Sequence, residues 1–179
     1  MDDFLSSDYD WPLPETDLIP NEPALVCDLA LLGGVLHGNE LILVDRSAPE
    51  NLLTILDLSR QVVDSVVMYG KVWSDRHLEL LSRLPKLTTF KISQCGELTD
   101  EALVHMSLFP NIQRIDLSGV EQSRFTLSGF SKLSNASGLA ILTLPRNWPV
   151  PLCNDLTGLQ CEQWMNRLSL ALPNVVIRK

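Results

Sequence analysis

Two stretches of this chain, 25 residues apart, read nearly as copies of one another. Residues 73–86 are W-S-D-R-H-L-E-L-L-S-R-L-P-K, and residues 98–111 are L-T-D-E-A-L-V-H-M-S-L-F-P-N. Trp73 aligns with Leu98, Ser74-Asp75 with Thr99-Asp100, Leu78 with Leu103, Leu81 with Met106, and Leu84-Pro85 with Phe109-Pro110. A repeat of this period constrains the fold strongly. One unit is too small to bury its own apolar face, so units must stack and share a continuous core. A solenoid of this kind presents a surface, so a binding face is expected ahead of an active site.

The same period runs through the candidate strands. Each carries an apolar-x-apolar pair, which puts both apolar side chains on one face. The pairs are Leu41/Leu43, Val66/Met68, Phe90/Ile92, Ile115/Leu117 and Leu142/Leu144, spaced by 25, 24, 25 and 27 residues. Val175/Ile177 is a sixth candidate after a gap of 33. Val63, Leu87, Ile112 and Leu139 each sit three places before a pair. Helical stretches are expected between strands, at 51–60, 75–83 and 100–107. Ser74 and Thr99 precede an acid and a helical run, as N-caps do. Leu84-Pro85 and Phe109-Pro110 stop the helices before the next strand. The glycine- and serine-rich connection 118–138 predicts a short irregular turn around 127–133. Residues 145–160 read as a loop. Residues 161–171 read as a last helix, with Trp164, Met165, Leu168 and Leu172 turned inward.

Residues 87–117, L-T-T-F-K-I-S-Q-C-G-E-L-T-D-E-A-L-V-H-M-S-L-F-P-N-I-Q-R-I-D-L, resemble leucine-rich repeats of the cysteine-containing, ribonuclease-inhibitor-like type. Cys95 stands at the usual Cys/Asn place, and Leu98-Thr99-Asp100 opens the helix. The likeness is good over residues 62–120 and weaker over 38–61 and 139–177. It implies an α/β leucine-rich-repeat solenoid: a parallel concave sheet of about five or six strands with short convex helices. The Cys/Asn place carries Val120 and Asn147 in later repeats and Arg46 or Lys71 in earlier ones. A continuous ladder of buried polar side chains is therefore not expected. Members of this family mostly bind other proteins. Some relatives are ubiquitin-ligase adaptors, but residues 1–40 do not resemble an F-box.

Charge divides the chain into two parts. Residues 1–22 hold Asp2, Asp3, Asp8, Asp10, Glu15, Asp17 and Glu22 and no Lys or Arg. Of the net charge of −8, this segment carries −7, leaving the remainder close to neutral. Residues 1–23 are thus read as an acidic, proline-rich arm, and 24–179 as the solenoid with its capping segments. Phe4, Leu5, Tyr9, Trp11, Leu13, Leu18 and Ile19 lie among the acids, so the arm is a docking motif, a cover for the end of the stack, or a strip that folds across Lys91 and Arg114. Without a basic stripe, nucleic acid is not an expected partner. No apolar run is long enough to span a bilayer, and the acidic first residues do not resemble a leader. A cytoplasmic protein with no membrane partner is expected.

Catalytic and metal-binding signals are weak. Cys27, Cys95, Cys153 and Cys161 form no C-x-x-C pair, and His37, His77 and His105 do not fall at zinc-ligand spacing beside them. The cysteines read as buried free thiols acting as small hydrophobes, and neither metal nor small-molecule cofactor is expected. No G-x-S-x-G, phosphate loop or H-E-x-x-H is present. His77 and His105 are expected on the convex surface. Asp75 and Asp100 recur because an acid is favoured at a helix start.

The residues alternating with the apolar pairs line the expected concave face. Ile42, Val67, Tyr69, Lys91, Ser93, Arg114 and Asp116 combine an aromatic, exposed aliphatics and charges on neighbouring strands, as protein interfaces do. The sequence therefore points to a non-catalytic adaptor or scaffold whose partner is another protein. The alternatives are an inhibitor or immunity protein that neutralises a toxin or enzyme and, more distantly, a hydrolase with a pocket near 145–160.

Overall fold

The computed structural model describes residues 23–45, 49–95, 98–120, 124–146, 148 and 158–179. Helix α1, Pro23–Leu31, leads through a tight turn at Gly33 into strand β1, Gly34–His37, which hairpins onto β2, Glu40–Leu43. A 3₁₀ turn, Pro49–Asn51, precedes α2, Leu52–Ser59. Strand and helix then alternate: β3 Ser65–Tyr69, α3 Asp75–Leu81, β4 Thr89–Ser93, α4 Asp100–Ser107, β5 Arg114–Gly119 and α5 Leu127–Ser131. A 3₁₀ turn, Lys132–Asn135, extends α5 before β6, Ile141–Thr143. The chain ends with α6, Gly158–Ala171, and β7, Val176–Arg178.

The seven strands form one sheet whose spatial order is the order in sequence. Strands β2 to β7 pair in parallel, and β1 pairs antiparallel with β2. The sheet is therefore larger than the five or six parallel strands expected, and one edge runs the other way. Gly33-Gly34 and Gly38-Asn39 supply the turns that fold β1 back.

Strands β3 to β6 enter the sheet by the same hydrogen-bonding device. The carbonyl of Asn39 accepts from the N–H groups of Asp64 and Ser65; that of Asp64 accepts from Thr88 and Thr89. Thr88 does the same for Gln113 and Arg114, and Gln113 for Ala140 and Ile141. A carbonyl has two lone pairs, and using both leaves no orphan donor where the chain turns into the sheet.

Alternation decides what is buried. Leu41, Val66, Phe90, Ile115 and Leu142 lie side by side in register, and Leu43, Met68, Ile92 and Leu117 form a second buried set. Val63, Leu87, Ile112 and Leu139 join them at the strand entries. From the helices, Leu56, Leu78, Leu103, Phe130 and Leu168 complete a single core. Trp164 and Met165 of α6 pack against it, partly buried, and Leu172 just beyond α6 is fully inside.

The expected irregular turn around 127–133 is instead α5 and its 3₁₀ extension. Phe125-Thr126 repeats Leu98-Thr99 and Trp73-Ser74. Phe125, Leu98 and Trp73 are all buried, and Thr126 caps α5 by accepting from Gly129 N–H at 3.1 Å. The unit was obscured because Leu127 replaces the acid that marks the other helix starts.

Candidate functional site

The register places the alternating residues on the face opposite the core. His37, Glu40, Ser65, Thr89, Arg114, Ile141 and Val176 form one row across the sheet. Val35, Ile42, Val67, Lys91, Asp116, Thr143 and Arg178 form the next, with Tyr69 beside Ser93 in a third. Neighbours in a row are about 4.8 Å apart, so the second row runs for about 29 Å. All seven residues singled out in the sequence, Ile42, Val67, Tyr69, Lys91, Ser93, Arg114 and Asp116, therefore share this face. Tyr69, Lys91 and Arg114 are exposed and the other four half-buried. Ile42 and Val67 lie outside the core cluster.

The face is graded along its length. Val35, Ile42, Val67 and Tyr69 form an apolar strip on the β1–β3 side, beside the polar row His37, Glu40 and Ser65; Val35 is 43% and Tyr69 38% exposed. Lys91 and Arg114 follow on β4 and β5. The acids there are locally engaged: Glu40 Oε2 accepts from Ser65 Oγ at 3.2 Å, and Asp116 Oδ1 accepts from Ser118 N–H at 2.9 Å. The side chains of Lys91 and Arg114 form no hydrogen bond or ion pair with any described residue. These two cations are thus available charges beside an apolar strip, and Arg178 on β7 adds a third cation to the face.

One bulge shapes the far end of the face. Lys91 pairs with Asp116 but Ser93 pairs with Gly119, so β5 carries one extra residue. A Cβ on Gly119 would run into Ser93. Glycine permits this approach of the two strands.

The remaining candidates have structural work to do. Asp75 and Asp100 reach across to the next helix start. Asp75 accepts from Thr99 N–H at 3.1 Å and from Thr99 Oγ1 at 2.6 Å; Asp100 accepts from Thr126 N–H at 2.8 Å and Thr126 Oγ1 at 2.6 Å. Each carboxylate thereby holds the next N-cap residue, a role that its position at a helix start alone did not show. His77 is buried, not on the convex surface as expected, whereas His105 is half-buried. His77 Nδ1 accepts from Ser74 N–H at 3.0 Å, and its ring meets Trp73 edge-on with centroids 5.6 Å apart. Burial, with the Arg76 charge adding to it, lowers its pKa below the usual histidine value and keeps it neutral. It is engaged as a helix cap.

Cys95 is buried and points its Sγ at the carbonyls of Met68, 3.8 Å away on the preceding strand, and Ser93, at 3.6 Å. Burial pushes its thiol up to about 12, so it is no nucleophile at neutral pH. Val120 is buried at the corresponding place and Lys71 is exposed, while Arg46 and Asn147 lie outside the described residues. Cys27 is exposed, not buried as expected. Among the described residues, no group of three His, Cys, Asp or Glu side chains could hold a metal ion. No helix among them is long and apolar enough to cross a membrane. Residues 1–22 of the acidic arm, and most of the 145–160 segment including Cys153, lie outside the described residues; Gly158–Gln160 belong to α6.

Compared with known proteins, the chain matches no protein-family model and none of the curated proteins.

Proposed function

We propose that this chain is a short leucine-rich-repeat solenoid of the cysteine-containing type, and that it acts as a non-catalytic protein-binding module. In this reading it is a cytoplasmic adaptor or scaffold whose partner is another protein, held on the open face of the sheet. The observation that carries the proposal is the face itself. Seven strands in sequence order bring Tyr69, Ile42 and Val67 beside Lys91 and Arg114, with the two cations unengaged among the described residues. An aromatic anchor with flanking aliphatics and available charge is the composition that protein interfaces favour. The repeated helix starts and Cys95 S–H directed at the preceding strand support the family likeness.

The test is direct. Affinity purification with mass spectrometry identifies a partner, and the purified pair is then titrated. The double change Lys91→Glu and Arg114→Glu should weaken binding at least about tenfold, because reversed rim charges oppose a complementary partner. The circular dichroism melt should stay nearly unchanged, since both side chains are exposed. Equal affinity in the double variant overturns the assignment of this face.

A further inference from the structure

Resting on the protein-binding role of the open face, we propose that this face is also a docking site for the chain's own residues 1–22, which compete internally with the external partner. The argument starts from what the face demands. Its β1–β3 side offers apolar contacts at Val35, Ile42, Val67 and Tyr69, and its β4–β5 side offers Lys91 and Arg114 without an ionic partner among the described residues. Glu40 and Asp116 are the acids of the face, and both accept hydrogen bonds from immediate neighbours. A matching occupant carries large apolar side chains with carboxylates between them. Residues 1–22 have that chemistry: seven acids, no Lys or Arg, and Phe4, Tyr9, Trp11 and Leu18 spaced among them.

Reach does not limit the contact. The segment ends where α1 begins, and α1 packs beside β1. An extended chain of this length spans up to about 70 Å, whereas β5 lies four strand spacings, about 19 Å, from β1. A tether that short presents the segment at an effective concentration on the order of millimolar, so even a weak contact is populated. Covering the first end of the stack does not fall to this segment alone. Leu29 of α1 and Leu36 of β1 already enter the core there. The external partner must then displace an acidic peptide, and its apparent affinity is reduced by the fraction of chains that are self-occupied.

Carbodiimide coupling of the full chain at low micromolar concentration tests the contact, since the reagent joins a lysine amine to a carboxylate only when they touch. The expected product is monomeric, with an amide between Lys91 and an acid of residues 1–22. It should be lost in ~0.5 M NaCl, where the screening length falls to about 4 Å. Three results overturn the proposal: no coupling at Lys91, equal coupling of the segment to Lys86 and Lys132, or coupling at Lys91 confined to covalent dimers, which makes a second copy the occupant. A second readout is hydrogen exchange by mass spectrometry in peptides from residues 1–22. Lys91→Glu with Arg114→Glu in the full chain should accelerate it at least about threefold, and an unchanged rate also overturns the proposal. The two readings fail separately. Loss of the external partner in the double variant without coupling at Lys91 removes only the internal contact. Coupling at Lys91 that a saturating partner leaves unchanged removes the partner-binding role of this face, and with it the competition, but not the internal contact.

Discussion

His77 stands where a helix start commonly has Glu or Gln, closing a capping box with Ser74. The unprotonated Nδ1 is the atom that accepts, so protonation removes the bond as well as charging a buried ring. Because the folded pKa is depressed, the unfolded chain takes up the proton first. The stabilisation from His77 is therefore fully present above the unfolded value of 6.5 and is lost as pH falls below it toward the folded value. Chemical denaturation between pH 7.5 and 5 should show this decline. His77→Gln retains an acceptor without a titrating ring, and its stability profile should be flatter across that window. A variant with the same slope as the parent removes His77 as the source. At the same scale, Ile92 is completely buried. Ile92→Ala should cost about 2–5 kcal/mol, read as a shift in the denaturation midpoint at constant slope. Ile92 was legible as core because its partner Phe90 shares its parity along the strand. His77 was not, because helix periodicity does not tell a buried cap from a surface imidazole.

At the scale of elements, Asp100 couples α4 to α5, as Asp75 couples α3 to α4. Asp100→Ala removes both acceptors of Thr126 and should cost about 1–2 kcal/mol. In a double-mutant cycle with Thr126→Ala, a coupling of about 0.5–3 kcal/mol is expected, because the two changes delete one shared interaction. Gly129 makes the test sharper. A Cβ there meets the Asp100 carboxylate, so Gly129→Ala should destabilise the parent. In the Asp100→Ala background the obstacle is gone, and the same change should be neutral or gain up to about 1 kcal/mol from helix propensity. Destabilisation of equal size in both backgrounds sinks this account. Ser74, Thr99 and the two acids were visible as repeated helix starts. The links between them were not, because a carboxylate's partner some 25 residues away depends on how neighbouring units are offset. The same limit hid α5: its start at Phe125-Thr126 lacks the acid, and the glycines around it read as turn signals. Alternation made the face legible over β2 to β6 but not at Val35 and His37, because β1 was not foreseen as a strand, and the division into an apolar side and a cationic side emerged only once the register set the rows beside one another.

For the whole molecule, the order of strands in the sheet equals their order in sequence, so every strand pairs only with its chain neighbours. Stability in such a stack approximates a sum of local terms and nearest-neighbour interfaces. The two ends differ from the middle in a way that makes a prediction. In the middle, β4 has β3 and β5 on its sides and fully buried Phe90 and Ile92 beneath it. At the far end, β7 is three residues long, pairs only with β6, and leaves Val176 58% exposed. Opening β7 uncovers little apolar surface, while opening β4 breaks two strand interfaces at once. Native-state hydrogen exchange should accordingly show β4 amides exchanging only through global unfolding. The paired amide of Val176, bound to the Ala140 carbonyl at 2.8 Å, should exchange through local fraying with a markedly lower opening free energy. Adding denaturant separates the routes, since global opening steepens with denaturant in proportion to the surface exposed and local fraying hardly responds. The exposed-face variant Lys91→Glu with Arg114→Glu should leave this ordering intact, because neither side chain contributes to the core. If β7 and β4 exchange with the same free energy and the same denaturant slope, the chain unfolds as one cooperative unit, and nearest-neighbour additivity does not describe it.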